Sequence, residues 1–234
     1  KILNATLVEP RVIIIKLADR MHNMSTLDAL KPEKRVRIAK ETLDIFIPMA
    51  RLVGMEAVAN NLEAICFKHL EPELMSVISN LLERNKAARD ETGNSWLQSI
   101  SQTCAQLDTK AHVKLVDNQH AITQQFFKQR NAVEELLTTY SLEIATDSIG
   151  SCYKIAAALK QSFICFDEED AIKTPMAGGK QHLRLNLKKW DSTLELIILT
   201  RKMQHAANQG VLTLGERAPE TSRSIIRASL ANLE

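Results

Sequence analysis

Lys16, Asp19, Asn23 and Thr26 follow one another at intervals of three, four and three residues. In an α-helix those intervals stack all four side chains on one face. The segment that carries them, Arg11 to Asn23 (RVIIIKLADRMHN), is apolar on most other sides through Val12, Ile13, Ile14, Ile15, Leu17 and Ala18. A helix of that composition is expected to be buried. A polar stripe on a buried helix must be paired, bind a metal or line a cavity. On pattern alone the stripe also reads as a structural salt bridge, Asp19 with Lys16 or Arg20, beside a satisfied core histidine, His22. One carboxylate does not make a metal site, which needs several converging ligands.

The elements that must position these residues are mostly helices. Pro10 suits the first turn of the motif helix, where its missing N–H costs nothing. A short helix before it and this long one account for residues 1–30. Pro32 restarts the chain, and Val36, Ala39, Leu43, Phe46, Ile47 and Ala50 keep a helical period from Glu33 to Val53. Pro48 should bend or end that helix, and Gly54 closes it. Glu56 to Leu70 is a further helix with Ala57, Leu62, Ile65, Cys66 and His69 facing inward. Pro72 starts the next, which carries Val77, Ile78, Leu81 and Leu82. The polar cluster Arg89 to Asn94 reads as a turn or break, and Trp96 to Leu107 returns to helical spacing. The cations Lys31, Lys34, Arg35, Arg37 and Lys40 read as a solvated face.

After Asp108 the pattern changes. His112 to Val116 and Tyr140 to Ala145 alternate as strands do. Ala121 to Leu137 and Ser151 to Phe163 are helical, the latter with a smooth face of Ala156, Ala157 and Leu159. Leu183, Leu185 and Leu187 alternate with polar residues as on a half-exposed strand. Leu194 to Leu199 reads as a central strand, apolar but for Glu195. Thr200 is placed to cap a helix that Gly210 ends. A last amphipathic helix runs from Ser222 to Leu233. Helices first and then helices alternating with strands imply an α+β chain: an all-helical N-terminal part followed by a mixed-sheet α/β domain.

Bulk properties narrow the partners. The 234 residues suffice for one large domain or two small ones, and a net charge of +2 gives no global case for nucleic acid or an acidic membrane. Cys66, Cys104, Cys152 and Cys165 form no CxxC pair, which fits reduced cytoplasmic thiols. No apolar run approaches membrane-spanning length, and no signal peptide precedes the first helix. A cytoplasmic protein without membrane or direct DNA contact is expected. The chain reads as beginning inside a domain, as a fragment would.

The order of residues in KLADRMHN resembles the last motif of the metal-dependent HD phosphohydrolase domain of RelA/SpoT-type alarmone enzymes. By that resemblance Asp19 ligates a Mn²⁺ ion, Asn23 contacts the guanine nucleotide (p)ppGpp, and Thr26 and Leu30 lie farther along the nucleotide pocket. The other metal ligands and the acidic catalytic pair of that family lie upstream, and no HD dipeptide occurs in this sequence. No catalytic residue is therefore expected within this chain. LKPEKRVRIAKETLDIFIPMARLVGM and NNLEAICFKHLEPE resemble the helical connector that follows the HD motif. The resemblance divides the chain into the end of an HD domain (1–30), a connector (31–107) and a nucleotidyltransferase-like synthetase domain (108–234).

That last domain resembles one that moves pyrophosphate from ATP to the 3′ hydroxyl of GDP or GTP, through SCYKIAAALKQSF, GGKQHLRL and LELIILTRKMQHAANQGV. Its chemistry needs a carboxylate for Mg²⁺, a base for the hydroxyl and cations on the triphosphate. Aligned outward from Cys152 and Tyr153, the family's metal Asp falls on Thr138 and the following Arg on Glu143. A basic pair falls on Asp117 and Gln119, leaving His120. The stacking Tyr becomes Lys180, while Gln181 is kept. On the last strand Glu195 survives, but Gln and Arg become Ile197 and Leu199. The relict site, His120, Thr138, Gln181 and Glu195, implies a pseudo-synthetase. Read without the resemblance, this half is an unrelated α/β domain, Glu195 a solvent-facing strand residue, and His182 and His205 surface residues. The expectation is part of a Mn²⁺-dependent (p)ppGpp hydrolase of the stringent response, with a dead synthetase half open to a regulatory protein partner. The alternatives are a non-catalytic nucleotide- or protein-binding module and a helical scaffold without ligand.

Overall fold

The computed structural model describes residues 11–107, 109–116, 137–176 and 180–209. They fall into two compact units, one built on residues up to Met75 and the other on residues 76–175 and 181–204. The short first helix, Gly210 and the helices expected from Ala121 and from Ser222 lie outside the described residues, Leu137 apart.

The first unit is helical. Helix α1 spans Arg11–Ser25, a 3₁₀ turn spans Leu27–Ala29, and α2 spans Pro32–Glu41. A π-turn, Thr42–Phe46, leads into α3 (Ile47–Leu52), and α4 spans Glu56–Leu70. The chain does not end at Pro48 as a simple helix would. The Ile47 N–H reaches back five residues to the Thr42 carbonyl. That wider turn shifts the hydrogen-bond ladder just before the residue that has no N–H to give. Gly54, at φ 73°, then closes α3 in a Schellman-type stop, with Met55 N–H on the Ala50 carbonyl at 2.8 Å.

Ile13, Leu17, Met24, Leu27, Ala39, Ile47, Leu62 and Cys66 form its core. Helix α1 is thus buried on one side only, contrary to the burial expected from its mostly apolar composition. Ile15 is 69% exposed and Ala18 is exposed as well. On α4 the buried positions are Ala59, Leu62, Glu63, Cys66 and Phe67, and Ala57 faces solvent. Leu62 and Cys66 of the expected stripe are among them, and Ile65 and His69 are partly buried, so the expectation fails at Ala57 alone.

The second unit begins within α5 (Pro72–Arg84), where Ile78 is buried and Val77 is half exposed. Helix α6 runs unbroken over Lys86–Gln106, so the expected break at Arg89–Asn94 is not there; the chain turns at Asn85 instead. Tertiary contacts hold the polar stretch in the helix. The Arg89 guanidinium donates to the carbonyls of Leu137 and Thr139 and lies over the Tyr140 ring. Gly93 is buried where the helix passes close to Leu115 and Tyr140.

Strands β1 (His112–Leu115), β2 (Thr139–Thr146), β3 (Ile164–Asp170), β4 (Leu183–Lys189) and β5 (Ser192–Thr200) form one sheet in the order β1-β2-β5-β4-β3. Only the β2–β5 pairing is parallel. The central place expected for Leu194–Leu199 is the one it takes. The even-numbered residues of β2 and β5 and Leu183, Leu185 and Leu187 pack against α6 and against α7 (Ile149–Ser162) around Trp96, Ile100, Cys152, Ile155 and Leu159. Ala157 lies outside that face, and Ser148 caps α7 by accepting the Ser151 N–H. Thr200 likewise caps α8 (Arg201–Gln209) through the Met203 N–H at 3.2 Å.

Strand β3 has no counterpart in the periodicity, because its ICFDEED sequence is rich in residues that strands disfavour. Pairing with β4 supplies what propensity does not. Arg184 engages Asp167 at 2.8 Å and Glu169 at 3.1 Å, and Asn186 donates to Asp167 at 2.9 Å.

Candidate functional site

On α1 the residues singled out by spacing do share a face, and that face is in water: Lys16, Asp19, Asn23 and Thr26 are all exposed. Solvent therefore meets the polar requirement that burial would have imposed. Asn23 sits one turn after Asp19 and donates from Nδ2 to its Oδ2 at 3.3 Å. The amide thereby orients the carboxylate, whose other oxygen takes no hydrogen bond among the described residues. The Thr26 hydroxyl turns back on the carbonyls of His22 and Asn23 at 3.4 and 3.3 Å. Leu30 is half-buried against the helical core.

The structural salt bridge does not form as read. Arg20 pairs with Glu41 rather than Asp19, at 3.2 Å, and lies 3.8 Å over the Phe46 ring. His22 is exposed and is no core histidine. Among the described residues no group of three or more His, Cys, Asp or Glu side chains is placed to hold a metal. Asp19 brings one carboxylate, and the described residues do not by themselves fit a metal ion.

Next to this row lies a cluster that spacing did not suggest. Arg35 leaves the solvated face assigned to it and donates from Nε to the Leu30 carbonyl at 2.5 Å. Asp28 meets Lys68 at 3.1 Å. Lys68 lies forty residues farther along the chain, and the partners sit on helices other than the turn that carries Asp28.

In the second unit the relict residues do not converge. Glu195 points with Ser141 to the face of the sheet opposite α6 and α7, and accepts from the Ser141 hydroxyl at 3.4 Å. Gln181 instead donates to the Ile172 carbonyl at 3.0 Å, a structural bond in the approach to β4. Thr138 is exposed just before β2, and His120, Asp117 and Gln119 lie outside the described residues. Glu143 shares the face of Glu195 and is held by Gln204 Nε2 at 2.6 Å. Beside it in register are Lys114 on β1 and Ile197 on β5, and Arg184 follows on β4, already engaged by two carboxylates.

His182 is 3% exposed and is not a surface residue; it lies just before β4, while His205 is exposed. All four cysteines are free thiols. Burial pushes Cys66 up to about 12 and Cys104 and Cys152 to about 11, so none of these three is a thiolate nucleophile near neutrality. No helix among the described residues is long and apolar enough to cross a membrane.

A family model of the HD domain matches residues 1–56. A guanosine-3′,5′-bis(diphosphate) 3′-pyrophosphohydrolase of Spiroplasma citri is 32% identical over 210 residues, covering 86% of this chain and 28% of that protein. A probable chloroplastic GTP diphosphokinase of Arabidopsis thaliana is 32% identical over 209 residues, covering 87% of this chain and 29% of that protein. The small alarmone synthetase 1 of Bacillus subtilis, solved with its product pppGpp, superposes with a TM-score of 0.42 at 14% identity, over 65% of this chain and 91% of that one. A helical part with an HD match, followed by a mixed five-stranded sheet, makes this an α+β chain. The chain belongs to the RelA/SpoT family. It spans under a third of the length of the curated relatives it matches, at 28% and 29%.

Proposed function

We propose that this chain is part of a (p)ppGpp 3′-pyrophosphohydrolase of the stringent response, a cytoplasmic enzyme. The observation that carries the reading is the Asp19–Asn23 pair on the exposed ridge of α1, within the stretch that the HD model matches. Asp19 is one ligand of a Mn²⁺ ion whose other donors lie beyond the described residues. Asn23, Thr26 and Leu30 contact the nucleotide. The relative from Spiroplasma citri carries this activity in its name.

The sheet unit transfers no pyrophosphate in this reading and serves as a regulatory or structural platform, open to a protein partner. The charges on the face opposite α6 and α7 support that. Glu143 and Leu199 stand where the resemblance calls for cations, and Arg184 is neutralised in place. Such transfer depends on cations aimed at the charge that develops in the transition state, each worth about 3–4 kcal/mol. Losing several leaves no measurable rate.

The test uses the whole gene product. It should release pyrophosphate from ppGpp only with Mn²⁺. Asp19→Ala should abolish turnover and weaken metal binding, and Asn23→Ala should mainly raise KM. Activity within a few-fold of wild type in Asp19→Ala would make the carboxylate structural and sink the reading. Incubated with ATP and GDP or GTP, the same protein should form no alarmone; any detectable synthesis refutes the pseudo-synthetase.

A further inference from the structure

Asp28 is the middle residue of the Leu27–Ala29 turn, and three basic side chains converge on it. Lys68 Nζ lies 3.1 Å from Oδ2, while Arg35 Nη1 and His69 Nε2 each lie 3.8 Å from Oδ1. They come from two helices: Arg35 from the start of α2, Lys68 and His69 from the last turn of α4. Arg35 reaches the same turn a second time through its bond to the Leu30 carbonyl.

The turn has little of its own to hold it. Thr26 at its N-cap makes no side-chain capping bond, and two backbone bonds of 3.1 Å close it. Leu27 is buried and pins one side. The outer side is fixed by the Asp28 cluster. Thr26 and Leu30, which flank the turn, are the residues to which the proposed function gives nucleotide contacts.

We propose that Asp28 is a positioning residue of the alarmone site: it ties the turn to α2 and α4 so that Thr26 and Leu30 meet the nucleotide in one geometry, without touching it itself. This rests on the proposed function. The cluster acts on substrate binding and not on the metal or the chemical step. It is also exposed: Asp28 and Lys68 side chains are each 64% accessible, so salt screens it.

The experiment is steady-state ppGpp hydrolysis by the whole gene product, as wild type, Asp28→Asn, Asp28→Glu and Arg35→Gln. Asp28→Asn should raise KM about three- to tenfold with kcat within about twofold and the Mn²⁺ requirement unchanged. Asp28→Glu, which keeps the charge, should recover most of the loss. Raising the salt should raise KM in wild type and much less in Asp28→Asn. Should Asp28→Asn fail to fold by circular dichroism, Arg35→Gln removes the other tether and must show the same KM effect. An active wild type with unchanged KM in the folded variants, or with kcat falling alone, overturns the positioning role by itself. A wild type without hydrolysis overturns the proposed function and this inference with it.

Discussion

The Arg20 guanidinium closes on Glu41 with both terminal nitrogens, at 3.3 and 3.2 Å from the two carboxylate oxygens. This joins α1, one residue after Asp19, to the last residue of α2. The contact continues inward. Arg20 also donates to the Thr42 hydroxyl at 3.4 Å and stacks 3.8 Å over Phe46, so the guanidinium touches both ends of the π-turn. Its side chain is only 14% accessible, which makes the contact stronger than a typical surface pair.

Arg20→Met should lower the stability of the 234-residue chain by about 1–2 kcal/mol, from lost hydrogen bonds and the lost cation–π contact. Arg20→Lys should recover little, because a point charge cannot bridge two oxygens and stack at once. Urea denaturation midpoints decide it; equal midpoints for Arg20→Met and wild type would show that the latch is energetically idle.

Arg51 and Glu63 form a second pair between helices, at 2.7 Å, with the Glu63 side chain 5% accessible. Removing the cation should cost more than removing the anion. Arg51→Met leaves a buried carboxylate beside an apolar chain, for about 2–3 kcal/mol, whereas Glu63→Gln leaves a neutral amide at about half that cost. The ordering of the two urea midpoints is the measurement, and a reversed ordering would show that Arg51 is the more readily replaced partner and refute the argument.

Gly93 offers a prediction that changes sign with size. A Cβ there would meet Leu115 Cδ2 at 3.4 Å and Tyr140 Cδ1 at 3.6 Å, ordinary contact distances. Gly93→Ala should therefore stabilise, by up to about 1 kcal/mol, since glycine is a poor residue for a helix interior. Gly93→Leu should destabilise by about 1–3 kcal/mol, because the branch must displace the sheet. Thermal melts of the two variants should move in opposite directions; a destabilised Gly93→Ala refutes the contact distances as ordinary.

Acid should weaken the first unit in two separate windows. Burial holds the His69 imidazole below its ordinary 6.5; Asp28 opposes the shift, and Lys68 and Arg35 add to it. The unfolded chain therefore takes that proton first, and stability is lost as pH falls from 6.5 to the depressed value. The hydrogen bond from Lys68 and its charge, helped less by His69 and Arg35, hold Asp28 below 3.8 against the opposing effect of burial. Its contribution is present above 3.8 and disappears as pH falls through the lowered value. Thermal midpoints against pH should lose the upper decline in His69→Gln and the lower one in Asp28→Asn. A wild-type and a His69→Gln curve that run parallel below 6.5 would remove His69 from the account.

Sequence by itself determined the features that rest on local backbone chemistry and on period. Pro32 and Pro72 start helices, Gly54 stops one, Thr200 caps another, and Leu183, Leu185 and Leu187 mark a strand with one wet face. Each follows from a residue's own φ preference, its missing or offered hydrogen bond, or a two-residue alternation, none of which needs a distant partner. The row from Lys16 to Thr26 was legible for the same reason, as helical geometry sets which residues stack.

Only the tertiary structure decided what meets that row and what does not. It left Ile15 in water, turned Arg20 from Asp19 to Glu41, carried α6 through Arg89–Asn94, made a strand of an acidic segment, and gave Gln181 to the Ile172 carbonyl. The partners, from nine residues away for Gln181 to about fifty for Arg89, come from other elements of the fold, and such a partner leaves no trace in the local pattern that would have named it.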